Sequence, residues 1–315
     1  MKRLSFRRRS NKSLREDILK HLLNAEADRT SLDVPALAGS LGGDAAPVQL
    51  TLEELVADGQ VEQAGQDFFL TSSGREIALN VLRAHRLWER FLADETGFER
   101  DEWHPRAEIA EHRISPEQAE SLSSILGNPA YDPHGDPIPT ASGVLPQPRG
   151  RPLSELSPGT GGRVVHLEDE PEEVYRRLLE LGLVVGSDVF LKESTHDRTL
   201  LWIDGGVIAL KPGEGRNIVI RPDPEWKFSD HIPGERLSEL EPGEAGVVLE
   251  LSPSLRGQER RRLMDMGLIP GTRITAEFDS PSGDPTAYRV RGAFLALRKD
   301  QADQIHIQRA QDKLE

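Results

Sequence analysis

The chain contains no cysteine among its 315 residues. Disulfides, thiolate zinc sites and thiol redox chemistry are therefore excluded, and any bound metal must be held mainly by oxygen and nitrogen ligands. No apolar run reaches the roughly 18 residues that a transmembrane helix requires. The basic residues 1–10 are not followed by an apolar stretch, so we expect no secretory signal and a cytoplasmic location.

Positive charge is missing from a long stretch near the N-terminus. Residues 30–74 contain no Lys or Arg but seven Asp or Glu, whereas residues 2–15 contain seven Lys or Arg. The net charge is −14, with 37% hydrophobic and 29% charged residues, which is typical of a soluble globular protein. A chain of this length has room for two or three domains.

The N-terminal region follows the order of a winged helix-turn-helix. Helical periodicity covers residues 13–27, where Ser13 and Glu16 have the spacing of a capping box. Two shorter helices are predicted at 33–41 and 46–57, and two β-like runs within 60–71 predict a hairpin. A small helical cap with a hairpin of another fold has the same order of elements.

Residues of metal-ligand type are concentrated on the next two predicted helices, at about 73–94 and 103–112. On each helix their spacing places them on one face, at i, i+4 in the first and at i, i+4, i+7, i+8 in the second. Two such helices can enclose a divalent cation between them. The candidate ligands are His85 and Glu89 on the first helix, and His104, Glu108, Glu111 and His112 on the second.

Two other interpretations of these side chains stay open. The acidic residues fit a solvated helix face, which is the usual place of a charge run. They also fit a paired-carboxylate hydrolase, although the chain has no nucleophile elbow, phosphate loop or HExxH helix. The sequence therefore favours metal binding without enzymatic activity.

A third helix of this region is predicted from the Ser115-Pro-Glu cap to about 127–129. Its apolar stripe, formed by Ala119, Leu122, Ile125 and Leu126, fits either a domain core or a dimer interface. Residues 127–152 follow with seven prolines and four glycines, which indicates a linker between domains.

The C-terminal half is an internal repeat. Residues 153–159 (LSELSPG) match 237–243 (LSELEPG), and 178–186 (LLELGLVVG) match 263–271 (LMDMGLIPG). In each copy a turn and a strand precede a short helix, and more strands follow it. Short strands in units of about 75 residues predict two small barrels.

The middle of the chain resembles the metal-binding and dimerisation domain of the iron-dependent (diphtheria toxin) repressor family. The resemblance spans residues 75–139 and is carried by 83–92 (RAHRLWERFL), 103–115 (WHPRAEIAEHRIS) and 127–139 (GNPAYDPHGDPIP). The two repeats resemble the SH3-like domains of ferrous-iron-transport A proteins. Family members often carry one such domain, so two is a departure.

The resemblance implies an α+β multidomain chain. Residues 1–72 would form a winged helix-turn-helix with a basic N-terminal arm, and 73–140 the metal-binding and dimerisation helices. A Pro/Gly linker at 141–152 would lead to SH3-like domains at 153–222 and 236–310.

The resemblance also implies two metal sites. His85, Glu89 and His104 match the family's ancillary site. Its primary site is matched by Glu108, Glu111, His112 and, on the first helix, Asp17. Carboxylates at positions 17 and 108 are typical of the manganese-responsive branch, so the expected metal is Mn²⁺ or Fe²⁺. Lys20 stands where that branch has a further carboxylate, and no ligand is assigned to the acidic run 168–173.

Two hypotheses on function follow from the resemblance. The first is a metal-dependent transcriptional regulator, acting as a homodimer whose DNA binding is switched by metal-driven placement of its domains. The second is a metal-sensing protein that has lost DNA binding and regulates a metal transporter. The second rests on the lack of Lys and Arg in the predicted recognition helix and wing, because DNA phosphates require cations.

Overall fold

The structure is a computed structural model that describes residues 11–27, 29–147, 149–195, 197–203, 206–226 and 234–310. Residues 2–10 of the predicted basic arm lie outside the described residues. The described chain forms two compact units. The first contains residues 11–91, 102–132 and 136–147, and the second contains 92–101, 133–135 and 149–310.

The first unit begins with the winged-helix order that the sequence predicts. The hairpin strands pair antiparallel around Gly65 and Gln66, and Asp33 caps the second helix by accepting the Ala36 N–H at 2.8 Å. The predicted cap at Ser13 is wrong, because the first helix already includes Asn11. The elements are α1 (Asn11–Ala27), α2 (Val34–Ser40), α3 (Ala45–Ala57), β1 (Val61–Ala64) and β2 (Asp67–Leu70).

The core of the winged helix joins its three helices and its hairpin. Apolar side chains at helical spacing on α1 meet the inner faces of α2 and α3, and each is nearly inaccessible to solvent. Because these helices share one core, the position of α3 follows that of α1. The buried residues include Ile18, Leu22, Leu37, Leu52, Leu55 and Phe68.

Three further helices follow the hairpin. They are α4 (Ser72–Glu95), α5 (Arg100–Ala110) and α6 (Pro116–Ile125), with a 3₁₀ turn at Glu111–Arg113 between the last two. The predicted α-helix to position 112 is therefore too long by two residues. The predicted start of α6 is confirmed, because Ser115 and Gln118 form a capping box.

The apolar stripe of α6 divides between core and surface. Ala119 is buried beside Leu87 of α4, and Leu122 and Leu126 pack against the same cluster. Ile125 is 75% exposed. Core packing thus accounts for three positions of the stripe, and a dimer interface stays a prediction.

The proline- and glycine-rich stretch is more ordered than its composition predicts. Ile138 is buried against α4 and α6. Arg86 of α4 donates to the carbonyl of Pro137 at 2.7 Å, and Arg83 donates to the carbonyl of Pro139. The side chains of Arg83, which is buried, and Arg86, which is half-buried, therefore fix residues 137–139, so the interpretation of 127–152 as one linker is wrong.

The second unit contains two copies of one fold, as the internal repeat predicts. In each copy the strands form an antiparallel sheet in the same order, with β-bulges at matching places on the second and third strands. The first repeat contains β3 (Arg151–Pro152), β4 (Gly161–Leu167), α7 (Glu172–Glu180), β5 (Asp188–Ser194), β6 (Thr199–Ile203), β7 (Gly206–Leu210) and β8 (Ile218–Pro222).

The second repeat has the same order of elements, with the short helix α9 where the first repeat has a 3₁₀ helix at Glu214–Asn217. Each repeat has its own hydrophobic core. The strand β3 begins at Arg151 and pairs with β8, so the predicted linker to position 152 is too long by two residues. The elements are β9 (Glu235–Arg236), β10 (Ala245–Leu251), α8 (Gly257–Asp265), β11 (Arg273–Asp279), β12 (Thr286–Val290), β13 (Ala293–Leu297), α9 (Lys299–Ala302) and β14 (Ile305–Arg309).

None of the helices in the described residues combines the length and apolar character needed to cross a bilayer.

Candidate metal centres

The first unit gathers the predicted ligands into two clusters. The α4–α5 cluster consists of His85, Glu89 and His104, and the α1 cluster consists of Asp17, Glu111 and His112. In each cluster the three residues offer ligand atoms that lie within 4.8 Å of one another.

Glu89 is the centre of the α4–α5 cluster. Its Oε1 lies 3.1 Å from His85 Nε2 and 3.2 Å from His104 Nδ1. The His85–Glu89 pair spans one turn of α4, and α5 brings His104 against it, with 4.9 Å between the two ring centroids. Glu89 is only 2% exposed, so its charge depends on these neighbours for compensation.

His112 is the centre of the α1 cluster. Its Nε2 lies 3.2 Å from Asp17 Oδ1 and 3.8 Å from Glu111 Oε1, while its Nδ1 lies 2.8 Å from Glu16 Oε2. Asp17 belongs to α1 of the winged helix, whereas Glu111 and His112 follow α5. This cluster therefore connects the winged helix to the helical region.

A 3₁₀ turn follows α5 and changes the local geometry at Glu111 and His112. In a continuous α-helix, Glu108, Glu111 and His112 would share one face. The tighter turn has about three residues per turn, which changes the direction of the last two side chains. Glu111 is buried between Lys20 and His85, and His112 lies against α1. Glu108 is exposed, with its Oε1 3.7 Å from His104 Nε2.

Glu108 thus lies beside the α4–α5 cluster, whereas the resemblance assigns it to the primary site. Its interaction with His104 lowers its pKa to about 2, so it is a carboxylate at neutral pH. Its role as a metal ligand stays a prediction.

Glu111 connects the two clusters. Its Oε1 accepts a hydrogen bond from Lys20 Nζ at 2.6 Å, and its Oε2 is hydrogen-bonded to His85 Nδ1. Burial alone would raise the pKa of Glu111, but His85 and Lys20 reverse the effect and lower it. The buried side chain is therefore ionised, with one cationic group at each oxygen.

Both histidines have a raised pKa in this arrangement. Burial lowers the pKa of His112, but its hydrogen bonds with Asp17 and Glu16 prevail and raise it to about 9. Burial also lowers the pKa of His85, but the carboxylates of Glu89 and Glu111 outweigh burial and raise it. A proton on each imidazole offsets the negative charge of the surrounding carboxylates, and a bound cation would replace the proton in this role.

The donor sets fit a divalent transition metal. Each cluster supplies carboxylate oxygen and imidazole nitrogen, which suit Mn²⁺ and Fe²⁺, and the chain has no thiolate to favour softer ions. Sequence reasoning missed Glu16, whose carboxylate holds His112 Nδ1. Metal-binding histidines are commonly oriented in this way, so a carboxylate adjacent to a ligand on the same helix was the available signal.

We expect metal affinity of the α1 cluster to rise with pH. His112 must lose its proton before it can coordinate, and its pKa is about 9. Affinity should therefore increase about tenfold per pH unit, or about a hundredfold from pH 6 to pH 8. Calorimetric Mn²⁺ titrations in that range test this, and an affinity independent of pH would contradict it.

Without metal, the same proton makes stability depend on pH in the opposite direction. The pKa of His112 is raised from 6.5 to about 9 on folding, so its contribution is complete below pH 6.5 and is lost as the pH rises through 9. Denaturant unfolding of the metal-free protein measures this loss, and saturating Mn²⁺ should remove it.

Lys20 should weaken metal binding in the α1 cluster. Its ammonium is 2.6 Å from Glu111 Oε1, the oxygen that faces His112. A cation there must share this oxygen with Lys20 and tolerate its charge. We expect Lys20→Gln to increase Mn²⁺ affinity at least tenfold, which is about 1.4 kcal/mol. Lys192→Gln, which removes an exposed lysine of β5, is the control, and equal effects of the two variants would contradict the assignment.

The fold and the two clusters define a class of protein, namely winged-helix chains with a helical metal-binding domain. The family model of the iron-dependent repressor metal-binding and dimerisation domain matches residues 71–140. The FeoA domain model matches residues 151–222 and 235–309. The chain belongs to the iron-dependent (diphtheria toxin) repressor family.

Relatives of known name support this assignment. The iron-dependent repressor IdeR of Mycobacterium leprae is 31% identical over 172 residues, which cover 50% of this chain and 74% of that protein. IdeR of Mycobacterium tuberculosis H37Rv is 32% identical over 180 residues, or 53% of this chain and 74% of that protein. A probable metal transport system membrane protein of Chlamydia trachomatis is 39% identical over 85 residues, or 27% of this chain and 19% of that protein.

A solved structure shows the same likeness. A manganese-dependent transcriptional repressor in complex with manganese superposes with a TM-score of 0.60 at 30% identity, covering 65% of this chain and 99% of that chain.

Proposed function

We propose that this chain is a metal-dependent transcriptional regulator that responds to Mn²⁺ or Fe²⁺ and acts as a homodimer. The observation that carries the proposal is the α1 cluster, in which Asp17 of the winged helix lies 3.2 Å from His112 of the helical region. Membership of the repressor family supports it.

The α1 cluster supplies the link between metal and DNA. The cation would be bound by Asp17, Glu111 and His112, and its positive charge would be distributed over all three ligands. Asp17 belongs to α1, and α1 shares its core with α3, the recognition helix of the winged-helix order. A cation can favour one placement of α3 only if it binds that placement more tightly. Because the ligands come from both the winged helix and the helical region, the affinity for the cation depends on how these two parts are placed.

The described winged helix has little positive charge for DNA. Arg15 pairs with Glu54 and Asp58 at the acidic end of α3, and Arg75 pairs with Glu26. Arg83 is buried. A positive DNA-binding face is therefore not assembled from these arginines. The arm at residues 2–10 is the remaining basic segment of this region, and we propose that it supplies phosphate contacts.

A second candidate is a metal-sensing protein that regulates a metal transporter without binding DNA. The likeness to the Chlamydia trachomatis metal transport system membrane protein favours it, as does the absence of Lys and Arg from α3. One experiment separates the two candidates. The dimer is titrated onto the promoter of its own gene at fixed salt, with Mn²⁺, with Fe²⁺ and with chelator. The regulator requires binding that depends on metal, and equal binding in all three conditions would leave the second candidate.

A further inference from the structure

The two repeats differ on one face of their sheets. In the first repeat, the cross-strand pair Phe190 and Trp202 lies against Trp226, with ring centroids 5.0 and 6.2 Å from the Trp226 ring. The chain thus closes this face with its own aromatic residues. At the same register of the second repeat the pair is Thr275 and Arg289, which line an open depression of about 590 Å³.

Three arginines line this depression, namely Arg273, Arg289 and Arg291, and no acidic residue is among those that line it. The corresponding side chains of the first repeat are acidic or apolar. Asp188 begins β5 as Arg273 begins β11. Asp188 forms two hydrogen bonds with Arg163, and Val247 takes the position of Arg163 in the second repeat. The net charge of the chain is −14, but positive charge is concentrated on this face of the second repeat. The same face of the first repeat has no excess of positive charge.

The backbone at Arg291 supports a role for its side chain. Arg291 and Gly292 form the two-residue turn between β12 and β13, with φ angles of 49° and 86°. Such turns favour Asn-Gly or Asp-Gly, since a long side chain is strained at positive φ. The sequence of the first repeat has Asp204-Gly205 at this place. The second repeat therefore keeps an arginine at a position where the backbone favours a smaller residue.

Arg289 and Arg291 each have a partner beside the depression. Glu277 pairs with Arg289 at 2.6 Å, which offsets one guanidinium, and Arg291 Nη2 lies 3.5 Å from Thr272 Oγ1. Arg289 nevertheless remains 54% exposed. Guanidinium groups bind phosphate oxygens in pairs of parallel hydrogen bonds, and threonine hydroxyls can add further donors.

We infer that this depression, the arginine pocket, binds a phosphate-bearing anion, supplied either as a free phosphate compound or by the backbone of DNA. Arg273, Arg289 and Arg291 would neutralise the ligand, with Thr272 and Thr275 as additional hydrogen-bond donors. This gives the second repeat a binding role that its sealed counterpart does not have.

The test uses the full-length protein with Arg273→Gln, Arg289→Gln and Arg291→Asn combined, the last chosen because asparagine suits the turn. Arg151→Gln, Arg176→Gln and Arg198→Gln combined in the first repeat provide a control with the same change in charge. In one arm, metal-free protein is titrated with inorganic pyrophosphate. We expect the wild type and the control to bind and the pocket variant to bind at least tenfold more weakly.

In the other arm, metal-loaded proteins are titrated onto DNA between 50 and 200 mM salt. If DNA supplies the phosphate, the slope of log affinity against log salt should fall by about 0.9 for each arginine in contact, in the pocket variant alone. An effect in either arm identifies the source, and no difference between pocket variant and control in both arms would overturn the inference. Because the pyrophosphate arm needs neither metal nor DNA, its outcome is independent of the proposed function.

Discussion

Asp17→Asn is expected to abolish the response of DNA binding to metal. The substitution keeps the size of the side chain but removes the charge that faces His112 Nε2 at 3.2 Å. It leaves the α1 cluster without its charged ligand from the winged helix. We expect Mn²⁺ affinity of this cluster to fall at least a hundredfold, or about 2.7 kcal/mol, and metal-dependent DNA binding to disappear.

The control for this prediction is His104→Gln, which alters only the α4–α5 cluster. It should lower the number of bound ions or the affinity of one of them, while Asp17-dependent coupling persists. Equal effects of the two variants on metal-dependent DNA binding would show that the winged helix is not coupled through Asp17. Thermal unfolding of both metal-free variants shows whether either change acts through the fold.

Replacing three arginines of the N-terminal arm should produce the largest loss of DNA affinity that leaves metal binding intact. Arg7, Arg8 and Arg9 precede α1, while α3 contains no Lys or Arg. If each arginine neutralises one phosphate, changing all three to glutamine lowers the slope of log affinity against log salt by about 2.7. At 100 mM salt the affinity should decrease by about a hundredfold or more.

The triple variant of Arg151, Arg176 and Arg198 also serves as the control for the arm, because it removes the same charge. Fluorescence anisotropy with labelled promoter DNA at several salt concentrations measures both slopes. If the arm variant keeps the wild-type slope, phosphate contacts come from another part of the chain, and the arginine pocket becomes the first surface to test.

Periodicity was enough to predict most of the fold, because apolar spacing and turn residues are local signals. The winged-helix order, α4 and the two repeats follow from them. The cap at Ser13 was wrong because a capping pattern can occur inside a helix, where the same side chains have other partners. Here Glu16 holds His112, a contact across 96 positions of sequence.

The candidate site was predicted as a set of residues but not as an arrangement. Helical spacing placed Glu108, Glu111 and His112 on one face of one helix, but Glu111 and His112 lie in a 3₁₀ turn that follows α5. Likewise, the sequence places Lys20 on α1 without showing that its ammonium reaches Glu111. Both features depend on how helices pack against each other, which spacing along one helix does not determine.

The same limit applies to the proline- and glycine-rich stretch. Its composition is that of a linker, but Arg83 and Arg86 bind the carbonyls of residues 139 and 137. Order in this segment comes from side chains about 50 positions earlier in the chain. Composition alone carries no information on such distant partners.

In the proposed mechanism, the cation held by Asp17, Glu111 and His112 favours the same domain placement as the DNA held by the winged helix. Thermodynamic linkage then requires each to increase the affinity of the other by the same factor. The most direct measurement is calorimetric titration of Mn²⁺ into the dimer, with and without saturating promoter DNA at fixed salt. We predict Mn²⁺ binding at least tenfold tighter with DNA in the wild type and no change in Asp17→Asn. Equal Mn²⁺ affinity of the wild type with and without DNA would contradict this coupling between metal and DNA.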